Sequence, residues 1–237
     1  MTETRSTHEI RQALLDAALP HVAFDGWSAA AFEAALVEAE IAPAVARAIC
    51  PRGAVDLALA FHARGDAAMV ARLTGSDLGE MRFRDRIAAG VRFRLEAAEA
   101  HKDEVRRAVA LFSLPHLAPD GAKMVWGTAD KIWTALGDVS EDLNWYSKRA
   151  TLAGVYSATV LFWLGDDSAD HAATWAFLDR RIDDVMRIEK AKKAVKDNPV
   201  LSKLLPGPNG ILGRIRKPQG ADLTDMPGRW TDPAHLN

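Results

Sequence analysis

Apolar side chains recur every three to four residues along nearly the whole chain. Ile10, Leu14, Ala17, Ala18 and Val22 set the pattern, and Phe32, Ala35, Leu36 and Ala39 repeat it. That is the period of one helix face; a half-buried strand alternates every two residues. β-branched residues are too sparse to supply a set of strands. At 237 residues the chain is long enough to bury a large core, and 49% hydrophobic with 26% charged residues excludes overall disorder. The expectation is an all-α protein of about nine helices.

Stop and start signals divide the pattern. Ser6 with Glu9 reads as a capping box, and Ser28 reads as a second N-cap. Pro20 should weaken the end of the first helix, Pro43 should open a short third one, and Gly65 should loosen the long one after Arg52-Gly53. Thr74–Gly79 is the clearest break. Later helices are expected near 80–100, 102–113, 120–136, 142–164 and 168–195, with Asp167 and Asp170 among the starts of the last. The chain therefore reads as a small N-terminal unit (1–76), a larger helical domain (77–195) and a basic tail (196–237).

Several functions lack their residues. Residues 1–10 are polar and charged, with none of the apolar core of a secretory signal. The longest nearly apolar run, Thr151–Leu164, has fourteen residues, short of the roughly 17–25 that span a bilayer. A soluble, cytoplasmic protein is expected, peripheral to the inner membrane if the tail binds there. Cys50 is the single cysteine, so no disulfide or cysteine metal cluster forms within one chain. The seven His are scattered, with no HExxH, glycine-rich phosphate loop or GxSxG. No catalytic residue, metal ligand or cofactor is assigned. An enzyme with an unrecognised site stays open as a third reading.

The N-terminal helices resemble the DNA-binding unit of TetR-type regulators, with Ile41-Ala42-Pro43 as the turn of a helix-turn-helix. The chemistry of a reader is missing. The candidate recognition helix, Pro43–Cys50, has Arg47 as its only long polar side chain. Residues 1–80 carry six Arg/Lys against eleven Asp/Glu. Base edges need polar side chains, and phosphates need cations. No nucleic-acid partner is expected, although a TetR-type regulator answering to a hydrophobic ligand remains the alternative.

Five of seven Trp and both Tyr fall between residues 126 and 175. Asp142, Trp145, Tyr146 and Arg149 stand at i, i+3, i+4 and i+7, one face of one helix. Trp, Tyr and Arg together suit a binding surface; a half-buried helix face with a charge pair is the bland reading. Val125, Trp126, Ile132, Trp133 and Leu136 form a second greasy stripe. Leu152, Val155, Tyr156, Thr159, Val160 and Trp163 form a third, and Trp175, Phe177 and Leu178 a fourth. A helix apolar nearly all round is covered by protein, membrane or ligand. A tight core and one long hydrophobic pocket both fit.

Two longer patterns carry a resemblance: Gly137-Asp138…Asp142-x-Asn144-Trp145-Tyr146-Ser147-Lys148-Arg149-x-x-Leu152 and Thr174-Trp175-x-Phe177-Leu178-x-x-Arg181-Ile182. They resemble the Coq-nine family of accessory proteins in ubiquinone biosynthesis, over about residues 8–188. The resemblance implies a TetR-like, lipid-binding fold, non-catalytic and dimeric through the last two long helices. It implies that the greasy stripes hold a lipid, an isoprenoid quinone intermediate. It also implies that Asp142, Trp145, Tyr146 and Arg149 dock a ubiquinone-pathway hydroxylase.

The tail is distinct. Residues 180–217 carry eleven Arg/Lys against four Asp/Glu. Leu201, Leu204, Leu205, Ile211, Leu212 and Ile215 sit among cations that include Arg214 and Arg216. Such stripes suit an anionic membrane surface; folding back on the body suits them equally.

Overall fold

The computed structural model describes the backbone of residues 5–140 and 143–197, and side chains to residue 187 apart from Leu143. The expected short helix and cationic stripe of the tail, Leu201 to Arg216, lie outside the described residues, as does Asp142. Nine α-helices appear among the described residues, with no strand. They are α1 (Thr7–Asp25), α2 (Ala29–Glu38), α3 (Pro43–Ile49), α4 (Ala54–Gly75), α5 (Phe83–Glu96), α6 (Lys102–Phe112), α7 (Ala118–Ala135), α8 (Leu143–Leu164) and α9 (Ala172–Asp197).

Local chemistry sets most of the boundaries. Ser6 Oγ accepts the Glu9 amide while Glu9 accepts the Ser6 amide, a complete capping box. Ser28 caps α2 through the Ala31 amide, and Pro43 stands first in α3. Two sequence expectations give way. Helix α1 continues through Pro20 to Asp25, because the residues around it, Leu19 and Val22, are buried and hold it. At the start of α9 the accepting carboxylate is Asp166, one residue before Asp167. It takes the Thr174 amide at 2.9 Å and the Thr174 hydroxyl at 2.6 Å.

Two hydrophobic cores form. The first joins α1, α2, α3 and the first half of α4 around Leu14, Leu15, Val22, Phe32 and Leu57. Trp27 fastens it to α6: its ring lies 5.6 Å from Phe61, and its indole N–H donates to the Glu104 carbonyl at 3.1 Å. The second joins the rest of α4 to α5, α7, α8 and α9 around Met69, Val91, Leu95, Ile132, Leu152 and Trp163. Helix α4 belongs to both, so the packing changes inside a helix, upstream of the loop at residues 76–82. A fully buried Leu contributes about 1.5–3 kcal/mol, so each core alone outweighs any exposed ion pair. No helix among the described residues is long and apolar enough to cross a membrane.

Candidate functional site: a hollow core and an aromatic patch

The two cores do not close on each other. Between α4, α5, α6, α7 and α8 lies a cavity of about 310 Å³, at the small end of the range that holds a drug-sized ligand. Its walls are mostly apolar: Phe61 and Leu95 at one end, Val105, Val109 and Phe112 along α6, Val125 on α7, Val160 and Trp163 on α8.

Its polar residues belong to a buried network. Asp66 on α4 is 1% exposed and Arg94 on α5 is 4% exposed. Arg94 Nε donates to Asp66 Oδ1 at 2.8 Å, and Lys131 Nζ reaches Asp66 Oδ2 at 2.8 Å. The Thr128 hydroxyl donates to Asp66 Oδ1 at 2.9 Å. His62 closes the ring: Nδ1 lies 3.2 Å from Arg94 Nη2 and Nε2 lies 2.8 Å from Thr128 Oγ1. Arg94 only donates, so it fixes Nδ1 as acceptor and Nε2–H as donor. Burial, reinforced by the Arg94 charge, pushes His62 down to about 4, so it is neutral at pH 7. Burial opposes ionisation of Asp66, but the groups around it, Arg94 and Lys131 among them, prevail and hold its carboxyl below the usual range. Gly65 is needed here. A Cβ at that position would lie 2.6 Å from Arg94 Nη1, and α4 runs unbroken through it. The glycine makes room for the guanidinium and does not loosen the helix.

A second cavity, of about 510 Å³, opens between α5, α8 and α9 and touches α7 at Trp133. The greasy stripes thus line two hollows instead of one long pocket. Val125, Tyr156, Val160 and Trp163 face the first; Trp133, Leu152 and Val155 face the second. The remaining residues expected to hold lipid go elsewhere. Ile132, Thr159 and Leu178 are buried in packing, and Leu136 packs partly buried against the second core. Trp175 donates its N–H to the Asp170 carbonyl at 2.8 Å. Phe177 stacks on Phe162 with centroids 4.5 Å apart.

Trp126 joins the patch at the start of α8. Its ring lies 5.9 Å from Trp145 and 6.3 Å from Tyr146, which are 4.8 Å from each other. This third aromatic comes from α7, and no spacing within α8 reveals it. Arg149 shares the helix face of Trp145 but is not offered outward. At 2% exposure it donates Nε to Asp130 at 2.5 Å and Nη1 to Asp138 at 2.9 Å. Its guanidinium lies 4.1 Å from the centre of the Trp145 ring. Burial raises the Asp138 carboxyl, but hydrogen bonds from Lys148, Arg149 and Ser140 overcome this and hold it well below the usual range. Arg149 is the support under the patch, and Trp126, Trp145 and Tyr146 are its half-buried surface.

Comparison with known proteins now becomes specific. A family model described as COQ9 matches residues 118–189, from the start of α7 into α9. Over that stretch the chain is similar to the COQ9 family. The ubiquinone biosynthesis protein COQ9, mitochondrial, of Drosophila melanogaster is 34% identical over 184 residues, 76% of this chain and 56% of that protein. The human protein of the same name is 29% identical over 198 residues, 81% of this chain and 62% of its own length. The probable ubiquinone biosynthesis protein coq9 of Dictyostelium discoideum is 26% identical over 215 residues, 88% of this chain and 68% of its own. The chain spans between 56% and 68% of these relatives' lengths. Among solved structures, a TetR transcriptional regulator from Nitrosomonas europaea matches with a TM-score of 0.60 at 20% identity, covering 73% of this chain and 96% of that one. The fold of the chain is TetR-like.

Proposed function

We propose that this chain is a lipid-binding accessory protein of ubiquinone biosynthesis. It carries a hydrophobic polyprenyl quinone intermediate and presents it to a membrane-associated hydroxylase. The observation that carries this reading is the cavity of about 310 Å³ between α4 and α8, apolar along most of its wall. A hollow of that kind forfeits packing contacts and is costly unless something fills it. The relatives' names supply the pathway. Trp126, Trp145 and Tyr146, half-buried beside one another, suit the hydroxylase as a docking surface. A dimer through α8 and α9 fits the exposure of Phe162, which stacks on Phe177 there. The cationic tail supplies membrane attachment.

The regulator reading is disfavoured by α3. Arg47, its only long cation, is held by Glu33 at 3.1 Å. Organic extraction of the purified full chain, followed by mass spectrometry, tests the proposal. A prenylated aromatic or quinone species in near-stoichiometric amount is expected. An extract without lipid, or nanomolar sequence-specific DNA binding, would contradict it.

A further inference from the structure

The cavity has two unlike ends. At the mouth, Ser113, Ala118, Ala122 and Leu161 are exposed. At the closed end, Arg94, Leu95, Tyr156 and Trp163 are all buried. The closed end is also where the polar groups gather, which is the reverse of a simple grease-lined pit with a wet rim.

One of those groups has no partner. Trp163 is fully buried, lines the cavity, and its indole Nε1–H meets no hydrogen-bond acceptor in the described structure. The ring is held in place by Lys102, whose Nζ lies 5.3 Å from its centroid, and by an edge contact with His171 at 6.1 Å. Buried donors are almost always paired, and an orphan in a cavity wall marks the place of an absent acceptor. Other buried residues of the cavity wall carry donors as well. Burial pushes the Tyr156 phenol up, so it keeps its proton. Arg94 never loses its own, and its charge is already matched by Asp66. The buried part of the wall therefore presents hydrogen-bond donors.

We propose that the cavity takes its ligand head-first, with a neutral oxygen acceptor of the quinone-carbonyl class at the Trp163 N–H and the apolar tail leaving past Leu161. This rests on the lipid-carrier reading and adds to it the orientation and the chemistry of the head. A carboxylate head is disfavoured, because burying an ionised carboxylate in a mostly apolar cavity costs far more than burying a neutral carbonyl. A plain hydrocarbon is disfavoured, because it leaves the indole donor unpaired.

The test uses the full chain and three soluble probes with the same two-isoprene tail: a dimethoxy-methyl-benzoquinone, the bare hydrocarbon and the carboxylic acid. By calorimetry the quinone should bind about tenfold tighter than the hydrocarbon, one hydrogen bond's worth, and no weaker than the acid. In Trp163→Phe the quinone should fall to the hydrocarbon's affinity while the hydrocarbon is unchanged. With indole-15N-labelled wild-type protein, the Trp163 Nε1–H resonance should move with the quinone and stay with the hydrocarbon, a readout that needs no variant to fold. Equal binding of quinone and hydrocarbon, tighter binding of the acid, or a Trp163 resonance indifferent to bound quinone would overturn the head-first assignment and leave the carrier reading standing. No binding by any probe would overturn both.

Discussion

The two cores are built from the same helical pattern and treat polar groups in opposite ways. Every buried residue described up to position 65 is apolar, whereas Asp66, Arg94, Glu104, Thr128, Arg149, Thr159, Asp166 and Thr174 are all buried beyond it. The first core is a dry bracket bolted on by Trp27. The second contains matched charges, one unmatched indole and one hollow, while the other hollow lies between the two cores. Burying charge is expensive and seldom improves stability over a well-packed apolar substitute. On the proposed reading the buried charge serves the ligand and the partner, and the first core chiefly holds the frame.

The sharpest way to break this contrast is to unpair a buried charge. Arg94→Met leaves Asp66 with Lys131 and the Thr128 hydroxyl, and Arg149→Ala leaves Asp138 with Lys148 and Ser140. Each should lower the unfolding free energy by about 3–5 kcal/mol in urea titrations. A loss under 1 kcal/mol would mean that water already reaches these groups. In the dry core, Leu57→Ala should cost about 2–5 kcal/mol yet leave quinone-probe affinity unchanged. Lost affinity there would show that the bracket shapes the cavity after all.

The pH response separates the halves next. His62 is neutral in the folded chain down to about pH 4, while unfolded His titrates near 6.5. Between those values the unfolded state holds the extra proton, so stability falls as pH drops through the window, by up to about 3 kcal/mol. His62→Gln should flatten that slope by close to one proton, and an unchanged slope would assign it to other groups. The smallest effect belongs to the patch surface. Trp145→Ala should change stability by only about 1 kcal/mol while abolishing capture of the hydroxylase. Unfolding of that variant would make Trp145 core.

Helix identity was legible because caps are local: Ser6 with Glu9, Ser28 and Pro43 each act within four residues. The aromatic stripes were legible as apolar faces. Period does not say how far apart neighbouring helices stand, so the two hollows were invisible. The support of Arg149 from α7 was invisible for a related reason. The spacing of Arg149 from Asp142 suggests a pair along one helix, but its described carboxylate partners, Asp130 and Asp138, come from α7 and the turn after it. The Asp66 network joins residues 28 to 65 positions apart, beyond the reach of any motif. Only packing reveals that Asp66 and Arg94 are buried.

The central claim is that the hollow between α4 and α8 is kept open for a lipid. Native mass spectrometry of the full chain beside Ala108→Phe, which fills that hollow from α6, tests it most directly. The account predicts that the wild type retains a prenylated lipid and that the variant folds with an undiminished melting temperature and arrives empty. Equal lipid on both, or none on either, would contradict it.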